Sequence, residues 1–365
     1  MATIRCSPVL RRAFTACGLI LVTAFLTGCQ SVGYYARAIR GQVQILARQQ
    51  SCDELLSAPD TPVELKARLA LVRRLRVFAE TELGLPVAGQ YSRYADLDRR
   101  YVVWNIYAAP RLSLELKTWR YPFVGRLGYR GYFSERAARR YASGLEARGL
   151  DVYVEGVEAY STLGWFKDPI LSTFIHYDDA ILAEILFHEL AHQRVFVAGD
   201  TRFNEAFATA VGQEGARRWL RARGDAAAEE EYRIALERNA GFVRLVGQTR
   251  DALRLLYNQA QSANDPEEMM REKRRIVDAL RRDYELLKAE WGGFAGYDGW
   301  FDDDINNAKL SSVATYNDLV PAFQRLLANC HGNLDGFYTA AERLTRLPHA
   351  GRQERLQAVA SRDAD

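Results

Sequence analysis

Residues 188–192 read His-Glu-Leu-Ala-His, and this stretch decides how the rest of the chain is interpreted. Residues four apart on an α-helix lie on one face about one turn apart, so His188 and His192 can bind one metal ion together. Glu189 lies beside them. Two neutral imidazoles next to a carboxylate are typical of hydrolytic zinc sites, in which the carboxylate moves a proton. The stretch therefore predicts a helix with two zinc ligands and a general base.

A second helix is expected directly after the first. The first helix should begin near Asp178 or Asp179, either of which could cap it, and run through Phe196. Gly199 and Asp200 predict a stop and a restart, followed by a helix from about 202 to 221.

Glu205 is predicted as the third ligand. In an antiparallel pair turning near Gly199, His192 lies seven residues before the turn and Glu205 six after it. At a rise of about 1.5 Å per residue the two side chains lie at nearly the same height. Small residues at Ala208 and Gly212 would let the helices approach closely. A single Zn²⁺ ion bound by three side chains keeps one position open for water.

Other interpretations of these residues remain open. Asp200 is nearer in sequence and could be the third ligand, although its place in the turn suits a helix cap better. The histidines could also be hydrogen-bonded core side chains. His176 precedes the helix and is expected to be structural, while His331 and His349 have no partner spacing and receive no role.

The N-terminus predicts a lipoprotein leader over residues 1–28. This segment has three arginines and no acid, followed by an apolar run that is too short to span a bilayer. Residues 26–29, Leu-Thr-Gly-Cys, resemble a bacterial lipobox, in which Cys29 is acylated and becomes the mature N-terminus. The expected location is the bacterial cell envelope, facing the periplasm, and Gln30 favours the outer membrane. An ordinary signal peptide or an uncleaved anchor is the alternative.

The charge balance argues against nucleic acid as a partner. Lys and Arg number 49 against 46 Asp and Glu, and the leader removes three of the arginines. A body of balanced charge lacks the positive surface that nucleic acid requires.

Two cysteines remain in the mature body. Cys52 and Cys330 could form a disulfide in an oxidising envelope, joining the beginning of the body to its end. Two buried free thiols are the other possibility.

The fold class predicted from periodicity is mainly α with a small β-sheet (α+β). Apolar residues three and four apart predict a first set of helices, and nearly everything after Asp178 also reads as helix. The predicted helices are 34–50, 61–83, 135–148, 226–260, 265–291 and 316–328. Clusters of β-branched and aromatic residues predict strands at 101–107, 129–133 and 151–157.

A single domain is expected over residues 29–365, because no Pro-, Gly- or Ser-rich linker interrupts the chain. Its predicted parts are a helical N-terminal part (30–100), a strand-rich part (101–161), the helix pair (178–221) and a helical C-terminal part (226–345).

The helix pair resembles the gluzincin metallopeptidases, in which the third ligand is a glutamate on the following helix. Residues 203–208, Phe-Asn-Glu-Ala-Phe-Ala, resemble the Asn-Glu-x-Phe-Ala segment of the aminopeptidase N branch. The chain as a whole resembles a family of bacterial zinc aminopeptidases that are lipoproteins of this size, through residues 129–133, 159–166 and 313–323. The resemblance implies a zinc peptidase that acts on peptides.

The chain departs from the gluzincin pattern in two ways. Only twelve residues separate His192 from Glu205, so the connection must be a tight turn. The position one helical turn after the third ligand, where some gluzincins have an acid that braces a histidine, is Thr209. Another acid such as Glu184 could supply that support.

The resemblance also suggests residues that contact the substrate. By analogy with the aminopeptidase N branch, Glu158, or else Glu155, would hold the α-amino group beside an edge strand, although a solvent-facing glutamate is the common case. Tyr316 is the first candidate for the oxyanion donor, because it lies in a segment typical of the family and is expected to open a late helix, and Tyr160 is the second. Residues 165–169 could line a specificity pocket, form a lid or simply pack.

These observations together predict a membrane-anchored zinc peptidase, preferably an aminopeptidase, with Glu189 as base and then acid. Two alternatives stay open. One is a zinc endopeptidase acting on envelope proteins, and the other is a non-catalytic helical lipoprotein scaffold with a structural metal site. An open coordination position beside an edge strand would favour an enzyme.

Overall fold

Helices dominate the computed structural model, which describes residues 33–122, 124–160, 167–259 and 265–360. The chain divides into two compact units, Met1–Arg48 and Gln49–Asp365. In the first unit, residues 33–47 form helix α1. The predicted leader and Cys29 lie outside the described residues.

The second unit contains the remaining helices. Their bounds are α2 Cys52–Ser57, α3 Val63–Thr81, α4 Glu135–Glu146, α5 Asp179–Arg194, α6 Thr201–Ala222, α7 Ala226–Gln259, α8 Pro266–Glu290, α9 Asp298–Asp302, α10 Asn307–Asn317, α11 Val320–Asn329, α12 Leu334–Thr345 and α13 His349–Ala360. No helix in the described part of the chain is long and apolar enough to cross a membrane.

Short strands form three small sheets. The strands are β1 Gln49–Ser51, β2 Arg93–Ala95, β3 Val103–Pro110, β4 Trp119–Tyr121, β5 Gly125–Leu127, β6 Arg130–Tyr132, β7 Leu150–Val157 and β8 Ile170–Leu171. The sheets have the orders β1-β2-β8, β6-β3-β7 and β4-β5. Strand pairing is antiparallel except between β2 and β8. With 63% helix and sheets of two or three strands, the predicted mainly α class with a small β component is confirmed.

Most predicted elements are present, but the prediction of a single late helix is wrong. Instead of one helix over 316–328, α10 ends at Asn317 and α11 begins at Val320. Pro321 lies in the first turn of α11, where its missing N–H costs nothing and its fixed φ suits a helix start. Tyr316 therefore lies in the last turn of α10 rather than at the opening of a helix.

The antiparallel helix pair α5 and α6 forms as predicted. Gly199 has φ +82°, a left-handed conformation that favours glycine, and makes the tight turn. The Asp200 carboxylate accepts a hydrogen bond from the N–H of Phe203 at 3.2 Å and so caps α6. A Cβ on Gly212 would lie only 2.8 Å from the carbonyl oxygen of Glu184, so this glycine permits the close approach of the two helices.

Helix α10 joins the helix pair to the sheet that contains β3 and β7. It packs against α6 and α7 on one side and against both of these strands on the other. Tyr107, Ala109 and Ala308 form a small core here, on which Tyr153 and Tyr316 pack. This packing brings the last turn of α10 to the face of the sheet.

The disulfide that the sequence allowed between Cys52 and Cys330 is not formed. Both are free thiols in the structure. Cys52 is buried, and its thiol donates to the carbonyl of Tyr91 at 4.0 Å. Cys330 caps the end of α11 and lies against Gly336. Each sulfur therefore packs against a separate partner instead of the other sulfur.

Candidate metal centre

Three predicted ligands meet between α5 and α6. The Nε2 atoms of His188 and His192 lie 3.4 Å and 3.6 Å from one carboxylate oxygen of Glu205. One ligand atom from each of the three residues lies within 4.8 Å of the others. The local geometry follows from the spacing, because the histidines are one turn apart and Glu205 faces them across the turn. The fold therefore forms a cluster that could hold a metal ion.

The spacing of these atoms suits a tetrahedral ion. Two ligand atoms that each lie about 2 Å from such an ion are roughly 3.3 Å apart. The two Nε2 to Oε2 distances, 3.4 Å and 3.6 Å, come close to that value. Two imidazoles and one carboxylate are also a donor set found in catalytic zinc sites. The residues present therefore fit zinc.

The charges of the cluster are strongly coupled. Burial alone would raise the pKa of Glu205, but the two imidazoles outweigh it and lower the pKa to about 2. Burial alone would lower the pKa of His192, and the carboxylates of Glu205 and Glu189 outweigh it, so this pKa is raised. A divalent cation can take the place of the imidazole proton in such an arrangement.

Thr209 supports His188 from the second helix. Its hydroxyl oxygen lies 3.4 Å from Nδ1 of His188, at the position where some gluzincins have an acid. Glu184, the other residue considered for this role, accepts a hydrogen bond from the Tyr232 hydroxyl at 2.7 Å. Burial raises the pKa of Glu184, and the nearby His188 and the Tyr232 hydrogen bond oppose that rise. Among the described residues, Nδ1 of His192 has no hydrogen-bond partner.

Glu189 lies between the two histidines in a buried environment. Its side chain is among the buried polar groups, and burial raises its pKa, while His188 and His192 oppose the rise. A carboxyl group with a raised pKa, placed beside candidate metal ligands, can accept and then return a proton.

Tyr91 and Asp168 lie in the electrostatic environment of Glu189, and the sequence patterns did not reveal them. Burial, followed by the negative charges of Glu189 and Asp168, raises the pKa of Tyr91 well above 10.0. Tyr91 has φ +57°, which is unfavourable for a tyrosine, and its N–H donates to the carbonyl of Asp168 at 2.8 Å. Such strained residues concentrate at functional sites. Neither the positive φ of Tyr91 nor its proximity to Glu189 follows from a sequence pattern.

Tyr316 and Glu155 are brought together by a third residue, Tyr107. The hydroxyl oxygens of Tyr107 and Tyr316 lie 3.4 Å apart, and the Tyr107 side chain is also hydrogen-bonded to Glu155. Burial raises the pKa of Tyr316 well above 10.0, and the charges of Glu205 and Glu155 add to the rise. Tyr316 therefore lies within the electrostatic reach of both Glu205 and Glu155.

Glu155 is one of the two glutamates considered as amine anchors, and like Glu158 it is partly buried. Burial raises its pKa to about 7, against the opposing effects of the Tyr107 hydrogen bond and the Lys309 ammonium. Glu158, the first choice from sequence, follows the end of β7, and its carboxylate accepts a hydrogen bond from the hydroxyl of Tyr177. Since alternate residues of a strand face opposite sides, Glu155 shares the sheet face of Tyr153, on which α10 packs.

Tyr160 lies just after β7, with its ring 5.9 Å from that of Phe133 in an edge-to-face arrangement. It also contributes to the raised pKa of Tyr91. Residues 161–166, which include the first two residues of the segment 165–169 considered as a pocket or lid, lie outside the described residues.

The other candidate ligands have separate structural roles or none. The Asp200 carboxylate caps α6 and accepts two hydrogen bonds from Arg352, at 2.9 Å and 3.0 Å. His349 lies 3.9 Å from that carboxylate. His176 precedes the start of α5 as predicted, and His331 has φ +53° just after α11. The described residues contain one cluster of metal-binding type, made by His188, His192 and Glu205.

Comparison with known proteins agrees with this geometry. The family model described as "Putative aminopeptidase" matches residues 33–356, which is most of the chain. Neither a curated protein nor a solved structure matches the chain significantly.

Proposed function

Since the chain belongs to the "Putative aminopeptidase" family, we propose that the protein is a zinc-dependent aminopeptidase. Membership of the family supports a peptidase activity in general. Zinc dependence is inferred from one observation. The side chains of His188, His192 and Glu205 lie as close together as ligands of one ion, and Glu189 lies beside them.

His188, His192 and Glu205 would hold the zinc ion. When bound, the ion would lower the pKa of a water molecule and polarise the carbonyl of the scissile bond. Thr209 would orient His188 for binding.

Glu189 moves the proton in the proposed reaction. Its carboxylate takes a proton from the attacking water as the water oxygen bonds to the scissile carbonyl carbon. The same proton then passes to the departing nitrogen as the C–N bond breaks. The products are a free amino acid and a peptide shorter by one residue. Burial, which raises the pKa of Glu189, suits both halves of this transfer.

Tyr316 and Glu155 position the peptide in this proposal. The Tyr316 hydroxyl donates to the carbonyl oxygen, where negative charge develops in the transition state. The carboxylate of Glu155, rather than that of Glu158, binds the α-amino group, because Glu155 is connected to Tyr316 through Tyr107. β7 is an edge strand of its sheet, so it can align an extended peptide by main-chain hydrogen bonds. Recognition of the free amino group distinguishes an aminopeptidase from an endopeptidase.

We further propose that the protein acts in the bacterial cell envelope. The leader and the Leu-Thr-Gly-Cys sequence at 26–29 support acylation of Cys29 and a position facing the periplasm, with the outer membrane favoured. Peptides of that compartment would be the substrates.

The decisive experiment compares the full chain, purified in detergent, with Glu189→Gln and with Glu267→Gln, a matched change at an exposed residue of α8. Bound zinc is measured by elemental analysis. Cleavage of a mixed library of free-amine and N-acetylated peptides is followed by mass spectrometry. We expect one zinc ion in all three proteins, and turnover of free-amine peptides by all except Glu189→Gln.

Any other result would favour one of the two alternatives, the endopeptidase or the non-catalytic scaffold. Cleavage of acetylated peptides would make the protein an endopeptidase. Absence of zinc, or zinc without turnover of either class, would contradict the proposal and favour the non-catalytic scaffold.

A further inference from the structure

A cavity of about 300 Å³ opens beside the two residues that position the peptide. Glu155 and Tyr316 both line it. Its other walls come from α7, from α10 and from the segment that contains α9. Glu155 and Tyr316 are the proposed partners of the substrate's amino group and carbonyl oxygen. The Cα atom of the first substrate residue lies between those two groups, so its side chain would lie near this cavity.

Aromatic side chains build part of the cavity wall. The ring of Phe242 stacks on that of Tyr297 with centroids 4.4 Å apart and an angle of 12° between the planes. Trp300 meets the same ring edge to face at 5.1 Å. All three residues line the cavity, and Phe242 is only 5% exposed. Mutual packing of this kind keeps the wall in one shape.

An acidic and a basic side chain would each meet one group of like charge in or near this cavity. The carboxylate of Glu155 would repel an acidic side chain. The ammonium of Lys309 is buried 5.0 Å from the ring of Trp300 and 5.1 Å from the ring of Tyr153. Lys309 is 1% exposed, and its nearest carboxylate oxygen, on Asp303, is 3.7 Å away. A second cation brought against Trp300 would meet this ammonium across a medium of low dielectric constant.

We propose that the cavity is the pocket for the first side chain of the substrate and that it selects peptides beginning with a large apolar or aromatic residue. This inference rests on the proposed function and adds the substrate class to it. Ligand pockets in proteins measure roughly 300 to 1,000 Å³, so a cavity of about 300 Å³ suits one residue rather than several. Aromatic walls favour a side chain that buries apolar area against them.

Val313 offers the means to test the pocket, because it lines the cavity from α10 and is distinct from the residues assigned to the metal, the amino group or the carbonyl oxygen. Val313→Phe would fill part of the space. Val77→Phe is the matched control, since Val77 lies on α3 and is 57% exposed. Both variants are made in the full chain, and thermal unfolding verifies that each folds.

The substrates are the dipeptides Phe-Ala, Leu-Ala, Gly-Ala, Glu-Ala and Lys-Ala, each with a free amino group. For the wild type and Val77→Phe we expect kcat/KM for Phe-Ala and Leu-Ala to exceed the other three by roughly ten- to a hundred-fold. In Val313→Phe the ratio of Phe-Ala to Gly-Ala should fall at least about tenfold. A series that is flat, or best for Glu-Ala or Lys-Ala, would overturn the pocket while leaving the aminopeptidase proposal intact.

A binding measurement keeps the inference testable if no peptide is cleaved. L-phenylalaninol and L-alaninol carry a free amino group but no peptide bond, and their affinities can be measured by calorimetry with zinc-loaded protein. The wild type should bind L-phenylalaninol at least about tenfold more tightly than L-alaninol. Loss of this preference in Val313→Phe, with the preference kept in Val77→Phe, would support the pocket even if the absence of turnover contradicted the peptidase. Equal affinities would overturn the pocket.

Discussion

The hydroxyl oxygens of Tyr107 and Tyr316 lie 3.4 Å apart, although the two residues are 209 positions apart in the chain. Tyr107 is on the central strand of its sheet and is fully buried. Through it, Glu155 and Tyr316 become parts of one polar arrangement beside the candidate metal ligands.

Tyr316→Phe should lower kcat by roughly 100-fold and leave KM nearly unchanged, because in the proposed mechanism the hydroxyl stabilises charge that develops only in the transition state. Steady-state kinetics on Phe-Ala measure the two constants separately. Tyr153→Phe is the matched control, since Tyr153 packs on Tyr107 in the same small core and has no proposed role in the reaction. A rise in KM with unchanged kcat would contradict the oxyanion role of Tyr316.

Thr209→Val should weaken zinc binding roughly tenfold, because the variant keeps the shape of the side chain but loses the hydroxyl that lies 3.4 Å from Nδ1 of His188. Competition with a zinc chelator measures the affinity. Thr209→Ser retains the hydroxyl and should bind zinc nearly as tightly as the wild type. If Val and Ser variants bind equally, Thr209 does not orient the histidine.

Gly212→Ala should destabilise the protein by roughly 1 to 3 kcal/mol, since the added Cβ would lie 2.8 Å from the carbonyl oxygen of Glu184 and 3.2 Å from the Cβ of His188. Gly247→Ala is the control on α7, where an added Cβ meets nothing within 4 Å. There the better helix propensity of alanine should stabilise by roughly 1 kcal/mol. Urea denaturation measures the free energy of unfolding of both variants. If both substitutions raise it, or both lower it, the prediction is contradicted.

Glu155→Gln should change how stability depends on pH. The pKa of Glu155 is raised from 4.5 to about 7, mainly by burial, so folding favours the neutral carboxyl group. That contribution is fully present below pH 4.5 and is lost as the pH rises through about 7. The groups facing the carboxyl are Tyr107, Tyr153, Lys309 and Tyr316.

Relative to the wild type, Glu155→Gln should therefore gain up to roughly 3 kcal/mol of unfolding free energy between pH 4.5 and pH 8. Urea denaturation at the two pH values measures this difference. Parallel pH profiles for the two proteins would show that the carboxyl group is not held in its neutral form.

Arg352→Met should destabilise the protein by roughly 3 to 5 kcal/mol, because it leaves the buried Asp200 carboxylate without its cation. Adding Asp200→Asn should recover part of that loss, since asparagine is neutral and caps a helix as well as aspartate does. Thermal and urea unfolding of the single and double variants complete the comparison. A double variant less stable than Arg352→Met would show that the charge itself is not the cause.

The helix pair and the meeting of its candidate ligands were predictable because they depend on short-range rules. A four-residue spacing places two histidines on one face, and a glycine turn brings Glu205 opposite them, all within 18 residues. Asp200 was correctly preferred as a cap over a ligand. The strands at β3 and β7 and most helices also followed from local periodicity.

Other residues of the site could not be predicted with the same precision. The choice between Glu158 and Glu155 depends on which face of β7 receives α10, and sequence does not carry that information. Tyr91 is identified by its backbone conformation and by its proximity to Glu189, and neither follows a spacing rule. The aromatic cavity requires α7, α10 and the segment around α9 to meet, which only long-range packing brings about.

The sequence by itself determined the helix pair, the juxtaposition of His188, His192 and Glu205 within it, and the mainly helical class, because each follows from the regular geometry of neighbouring residues. Only the tertiary structure decided that Tyr107 joins Glu155 to Tyr316, that a cavity lies beside Glu155 and Tyr316, and that the two cysteines remain free. Those relationships depend on how distant segments pack to bury apolar surface, and packing partners are not encoded in any local spacing.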